Sequence, residues 1–180
     1  MAETATTLVL FAHPAVERAR LGPALASAAA ARPDVVLHDL YELYPDFTVD
    51  VQAEQRALLG AGTVVLQFPL YWYSCPALLK EWMDLVLTRG FAYGAGETRL
   101  VGKRLACAVS TGGFDADYGP GGANRFPLTD FLRPLEQTAA LCGMRWVNPF
   151  VSHGGAVGQE IEAEAGRYDG WLAAMAEGAA

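Results

Sequence analysis

A chain of 180 residues is long enough to bury a full core and short enough to do so as one domain. Its formal net charge of −7, from 13 basic and 20 acidic residues with no basic run, argues against a nucleic-acid partner or an anionic membrane surface. Apolar residues make up 52% of the chain, rich enough to predict an oligomer interface, yet no stretch approaches the ~20 apolar residues that span a bilayer.

Residues 1–7 are polar and lack a basic n-region, so they read as a disordered tail and not as a secretory signal. Cys75, Cys107 and Cys142 are odd in number and widely spaced, with none of the close pairs that metal knuckles or redox motifs use. Free thiols in a reducing cytoplasm are therefore expected, and no metal site.

The apolar run at residues 8–12 predicts a first, central strand ending at His13-Pro14, and the alanine-rich residues 21–31 a returning helix. Residues 35–40 form the second strand, 41–47 an aromatic loop, and 51–59 a short helix. The stretch from Gly62 to Gly94 organises the rest. Residues 63–68 are a nearly unbroken apolar strand, as a sheet covered on both faces requires. Pro69 stops it. Leu70, Tyr71, Trp72, Tyr73 and Ser74 form a loop, and Cys75-Pro76 opens a helix whose apolar residues recur at three- and four-residue spacing. A glycine-rich turn at residues 95–98 leads to a fourth strand at 104–109, which runs into Ser110-Thr111-Gly112-Gly113. Residues 114–126 are too glycine-rich for regular structure. A helix at 128–142 that Pro134 can kink, a fifth strand at 146–152 ending at His153-Gly154-Gly155, and a helix at 160–176 complete the chain. Five alternations without a repeat or linker predict a single α/β domain spanning residues 1–180, a doubly wound parallel sheet with helices on both faces.

Three strand ends carry unusual chemistry. His13, with Arg18 and Arg20 nearby, follows the first strand; Pro69, Leu70, Tyr71, Trp72 and Tyr73 follow the third; Ser110, Thr111, Gly112 and Gly113 follow the fourth. In the flavodoxin-like strand order 2-1-3-4-5 these ends are neighbours at the switch point. A flavin needs a phosphate cradle, a flat apolar wall and backbone donors near its electron-rich ring edge, and the three ends supply these in turn. Singly, each has a blander reading as a turn histidine, a core aromatic or a common glycine turn. Their coincidence on adjacent strands carries the argument. No G-x-G-x-x-G follows the first strand, and no P-loop or nucleophile elbow is present. Cys75 stands at a helix start, which lowers a thiol pKa, but no anion loop or nearby histidine accompanies it.

The combination of Ala12-His13-Pro14, Asp39-Leu40-Tyr41 with Pro45-Asp46-Phe47, Phe68-Pro69-Leu70-Tyr71-Trp72, Pro76-Ala77-Leu78-Leu79-Lys80, Gly90-Phe91-Ala92-Tyr93-Gly94 and Ser110-Thr111-Gly112-Gly113 resembles the flavodoxin-like NAD(P)H:quinone oxidoreductases. It resembles most their short bacterial branch, which includes ancillary subunits of glutathione-gated potassium-efflux systems. The resemblance implies a homodimeric flavoenzyme with active sites at the subunit interface. It takes a hydride from NAD(P)H on flavin N5 and passes it to a quinone in ping-pong order. His13 and the turn from Ala19 to Gly22 match the phosphate region, with Arg18 and Arg20 as the nearby cations. Leu70, Tyr71, Trp72 and Tyr73 match one ring-contacting loop and residues 110–113 the other. Phe91, Tyr93 and His153 are expected at the substrate slot, and Tyr118 as the catalytic group near N1 and O2 of the ring.

Two positions depart from the family pattern. Ala19 and Gly22 replace a serine and an asparagine of the phosphate turn, and each hydrogen bond lost to a charged group costs roughly 1.5–3 kcal/mol. Asn124 stands where longer members place a relay histidine, and an amide cannot shuttle a proton as imidazole does. FMN is expected over FAD because little chain follows the fifth strand. Two other readings stay open: a regulatory flavoprotein that binds a membrane transporter, and a small electron carrier.

Overall fold

The structure is a computed structural model, and it describes residues 6–96, 98–154 and 158–176. The predicted turn residue Glu97 and the predicted strand-end residue Gly155 lie outside the described residues, as do residues 1–5 of the predicted tail.

The strands are β1 (Thr7–Phe11), β2 (Val35–Asp39), β3 (Thr63–Pro69), β4 (Arg104–Ser110), β5 (Arg145–Trp146) and β6 (Phe150–Ser152). All pair in parallel in the order β2-β1-β3-β4-β5, with β6 also on β4, so the sheet is the flavodoxin-like one that the strand ends call for. The helices are α1 (Leu21–Ala30), α2 (Leu40–Leu43), α3 (Val51–Gly60), α4 (Ala77–Val86), α5 (Leu128–Phe131), α6 (Arg133–Leu141) and α7 (Gln159–Ala176).

Successive strand residues point to opposite faces, which sorts the apolar runs into two cores. Leu8, Leu10, Val64, Leu66, Phe68, Cys107 and Val109 pack under Leu58, Leu78, Leu79, Trp82 and Leu135. Val9, Val65, Ala106 and Ala108 pack under Leu25 and Ala29 of α1 and Tyr168, Leu172 and Met175 of α7. Continuous apolar strands are thus explained by two covered faces. On α4 the buried residues are Leu78, Leu79, Trp82 and Val86, spaced to share one face; each fully buried side chain of this kind contributes roughly 1.5–3 kcal/mol.

Several expectations are corrected. Thr7 is not in a free tail: it is buried at the start of β1, where its N–H donates to Asp34 O at 2.9 Å. The aromatic loop after β2 begins with a helical turn, α2, because the Asp39 carboxylate accepts from Tyr41 N and Glu42 N as an N-cap. Pro134 divides the predicted helix at 128–142: it sits in the first turn of α6, the position that tolerates a missing N–H, and α5 ends at Phe131 before it. The predicted fifth strand is two short ones, because Pro149 has no N–H to give a ladder between Trp146 and Phe150. Pro76 is the N-cap of α4, one residue before the helix.

Candidate functional site

Where β1, β3 and β4 end side by side, the chain opens into a cleft of about 310 Å³ lined by His13, Ala19, Arg20, Leu21, Gly22, Pro69, Leu70, Tyr71, Ser110, Thr111 and Gly112. Parallel strands send all their C-terminal ends to the same edge, and the switch in winding direction between β1 and β3 separates the flanking helices there.

The first wall is built on His13. Its Nδ1 accepts from Ala15 N at 3.2 Å, so the neutral ring carries its proton on Nε2. Burial pushes its pKa below the ordinary 6.5, outweighing its own backbone contact and the pull of the Asp39 carboxylate. The ring packs against Gly22 so closely that a Cβ there would lie 3.1 Å from His13 Cδ2. Glycine at 22 therefore sets how near α1 approaches the strand end. Leu21 N and Gly22 N, in the first turn of α1, have no hydrogen-bond partner among the described residues, and Pro23 has no N–H. Arg20, their neighbour, makes no ion pair among the described residues.

Beneath this wall Gln67, buried in β3, donates from Nε2 to Gly22 O at 3.0 Å and accepts at Oε1 from Tyr168 OH at 3.0 Å. One amide thus ties the first turn of α1 to α7 through the sheet. Burial pushes the Tyr168 phenol well above its usual range, which keeps it a donor. Sequence reasoning passed over Gln67. Its signal was a polar residue inside the run TVVLQFP, two positions before the strand ends.

The second wall is a tight turn. Tyr71 N donates to Ser74 O and Ser74 N to Tyr71 O, both at 3.0 Å, and the two residues between, Trp72 and Tyr73, have φ of 50° and 62°. Positive φ at both central positions is the geometry of a primed hairpin turn, normally filled by Asn and Gly. Here two aromatics occupy it, at a cost of roughly 1–2 kcal/mol per residue. Tyr71 stands edge-on to His13 with ring centroids 6.0 Å apart and lines the cleft. Trp72 is 93% exposed. Tyr73 turns away: its OH donates to Asn124 Oδ1 at 3.3 Å and its ring lies 5.1 Å from that of Phe131. The N–H groups of Trp72 and Tyr73 have no partner among the described residues.

The third wall is the turn after β4. Thr111 is buried, its N–H donates to Ser152 O at 2.9 Å, and its hydroxyl donates to Gly113 O at 2.7 Å. A Cβ at Gly113 would lie 3.2 Å from Asp117 Oδ2 and 3.3 Å from Tyr118 Cε2, so a side chain there would press on residues 114–118 where they fold back. Tyr118 packs behind the turn, 5.6 Å from the ring of His153 and 6.3 Å from that of Phe131.

Most of the expected cofactor residues therefore meet at one cleft. Arg18 lies on the exposed 3-10 turn Val16–Arg18, and Trp72, Tyr73 and Gly113 belong to the flanking turns without lining the cleft. Tyr118 and His153 stand behind its third wall. Phe91 and Tyr93 lie in the segment after α4 and pack against the core, away from the cleft lining. Leu21, inside the expected phosphate turn but not singled out there, also lines the cleft. Cys75 is not activated: burial pushes its thiol pKa up, outweighing the Ser74 contact. Among the described residues no cluster of His, Cys, Asp or Glu is suited to a metal, and no helix is long and apolar enough to cross a membrane.

A cleft with free N–H donors, a neutral imidazole N–H and an unpaired arginine at one end, and tyrosine beside a glycine ledge at the other, could hold a phosphate and a flat ring together. Such a set is what an FMN-sized nucleotide requires. The chain belongs to the family of flavodoxin-like fold, whose pattern it matches over residues 5–172. It is 45% identical over 175 residues to the glutathione-regulated potassium-efflux system ancillary protein KefG of Cronobacter sakazakii, covering 96% of this chain and 95% of that one. Among solved structures it is similar to general stress protein 14 of Treponema denticola in complex with FMN, with a TM-score of 0.90 and 40% identity over 94% of this chain and 98% of that one. An NADPH-quinone reductase from P. pentosaceus is also similar, with a TM-score of 0.82 and 32% identity over 92% and 96% of the two chains.

Proposed function

We propose that this chain is an FMN-dependent NAD(P)H oxidoreductase acting on a quinone or a similarly flat electrophile. The observation that carries this reading is the cleft at the ends of β1, β3 and β4, whose two ends differ in chemistry as phosphate and ring do. The FMN complex and the quinone reductase among similar structures support it.

In this reading His13 Nε2–H, Arg20 and the first-turn N–H groups of α1 bind the phosphate, with Gln67 holding that turn in place. Leu70 and Tyr71 orient the ring against the ledge at Ser110, Thr111 and Gly112. Bound FMN supplies the redox chemistry, accepting hydride from NAD(P)H and passing it to the acceptor. Trp72 sits where an exposed ring can cover a flat substrate and exclude water. Phe91 and Tyr93, remote from the cleft of their own chain, are assigned to the slot of a second copy in a homodimer, and Tyr118 to charge stabilisation behind the third wall. The cytoplasm supplies the reduced nicotinamide.

The test is an absorbance titration with FMN and FAD, followed by steady-state kinetics with NADH and NADPH against a benzoquinone. FMN binding and parallel double-reciprocal lines are expected. A chain that stays colourless in saturating FMN would refute the proposal.

The 45% identity to a potassium-efflux ancillary protein favours a second reading in which the flavoprotein binds and regulates a membrane transporter. Co-purification with a tagged efflux transporter from the same cell, undiminished in a variant that no longer turns over quinone, would place the binding role first.

A further inference from the structure

β6 and the third wall of the cleft are joined by a histidine with both ring nitrogens engaged. Thr111 N donates to Ser152 O at 2.9 Å and Gly154 N to Gly113 O at 2.8 Å, so residues 152–154 run alongside the turn at 111–113. The Thr111 hydroxyl has one proton and gives it to Gly113 O at 2.7 Å. Toward His153 Nδ1, 3.3 Å away, that oxygen is therefore left to accept. On the far side Nε2 lies 3.3 Å from Asp115 Oδ1, a carboxylate that also accepts. Two acceptors ask for two N–H groups, and only the imidazolium form has both.

We propose that His153 is the built-in cation of the third wall: held as imidazolium between Thr111 and Asp115, it favours a reduced, anionic flavin over the oxidised one on the turn at residues 110–113. The preference for flavin rests on the function proposed above; the protonation of the ring does not. Hydride from NAD(P)H brings two electrons and one proton, so reduction leaves one extra negative charge on the bound ring, and a fixed positive charge behind the ledge offsets it without moving a proton. His153 is absent from the cleft lining and acts through Thr111 and the turn, which makes it a positioning residue.

The surrounding charges are consistent with that form. Asp115 reaches the ring from the 3-10 turn Asp115–Asp117, and Tyr118 packs 5.6 Å from it. From α7 come Glu164 and Arg167. Arg167 grips both Glu164 oxygens, at 3.1 and 2.6 Å, and also donates to Val151 O. The Arg167 contact holds the Glu164 carboxyl below its ordinary value, and the charge of His153 adds to that effect. One cation opposite Asp115 and Glu164 is thus Arg167, and the other is His153.

The experiment compares wild type with His153→Gln, which keeps an N–H for Thr111 and loses the charge. Midpoint potentials of the FMN-loaded proteins are measured from pH 6 to pH 9, with ring ¹⁵N spectra of the flavin-free wild type at pH 6. The variant is expected to lose about tenfold in its preference for reduced over oxidised FMN at pH 6, a shift of ~30 mV for a two-electron couple. Two protonated ring nitrogens are expected in the spectrum. One protonated nitrogen, or equal potentials in the two proteins across the range, would overturn the proposal. If the variant does not fold, a wild-type ring spectrum with one protonated nitrogen overturns it equally. Failure of wild type to bind FMN would sink the proposed function and the flavin preference together, whereas two protonated nitrogens in that protein would still sustain the imidazolium.

Discussion

Two clusters of polar groups, one inside the α3–α4 face of the sheet and one at its C-terminal edge, answer the same physical demand in opposite ways. On the α3–α4 face Glu54 is completely buried, and its carboxylate accepts from Tyr44 OH at 2.7 Å, Trp82 Nε1 at 2.8 Å and His38 Nδ1 at 3.0 Å. Burial alone would raise its pKa, but these three hydrogen bonds outweigh it and hold the carboxyl below its ordinary range. At the cleft, Leu21 N and Gly22 N have no partner among the described residues, nor do Trp72 N and Tyr73 N in the flanking turn, and the single N–H of neutral His13, on Nε2, meets no acceptor among the described residues. A closed set of partners fixes the fold, and an open one leaves binding free energy for something else. If that distinction is right, substitutions in the first cluster should change stability and spare the cleft, and those at the cleft should do the reverse.

The largest effect is expected from Glu54→Ala. It strands the tyrosine and indole donors in the core and should cost roughly 3–5 kcal/mol in urea unfolding. A loss under 1 kcal/mol would mean that the cluster does not hold α3, α4 and β2 together. Next comes Tyr168→Phe, which leaves Gln67 Oε1 buried without its donor and should destabilise by roughly 1–3 kcal/mol. Because Gln67 also anchors Gly22 O, this variant should weaken FMN binding as well, unlike substitutions in the Glu54 cluster.

Gly22→Ala tests the cleft. Its Cβ would press on His13 Cδ2 at 3.1 Å, so the FMN Kd is expected to rise about tenfold, ~1.4 kcal/mol, with little change in the unfolding midpoint. An unchanged Kd would show that the close approach of α1 and His13 is not used in binding. Trp72→Gly should gain roughly 1 kcal/mol of stability by relieving a positive φ, since a side chain 93% exposed packs against little. In the same variant the KM for a quinone should rise, a split that a purely structural turn residue would not give.

The smallest effects follow from pH. His13 and Glu54 both have folded pKa values below their ordinary ones of 6.5 and 4.5, so for each the unfolded chain binds protons more readily than the folded one. Stability from His13 is fully present above about pH 6.5 and declines as pH falls through its lowered value; that from Glu54 declines below about pH 4.5. Unfolding midpoints should therefore drop in two stages on acidification. The first stage should vanish in His13→Gln and the second in Glu54→Gln.

Much of this was legible in the residues. Nearly continuous apolar runs at β1, β3 and β4 require two covered faces, and alternation with helical periods then leaves a doubly wound parallel sheet as the economical solution. His13, Tyr71 and Thr111 stand at the ends of such runs, so topology alone predicts that they share an edge. Pairwise chemistry across the sheet was not legible. Gln67 and Tyr168 lie 101 residues apart and Thr111 and His153 lie 42 apart, and nothing in either local stretch specifies the other. The division of the last strand at Pro149 was written in the sequence, as a residue without an N–H, although its consequence depends on a neighbouring ladder.

The sequence by itself determined the architecture and the edge of the sheet that carries the chemistry, because period and strand order depend on local residue type and chain connectivity. Only the tertiary structure decided which polar groups are closed off and which remain open. That turns on distances of about 3 Å between side chains brought together from separate elements, a scale that no local pattern encodes. Glu54, a charged residue in an exposed-looking helix, became a fully buried polar anchor of the fold, and His153, at the end of a short edge strand, came to lie between Thr111 and Asp115 behind the cleft.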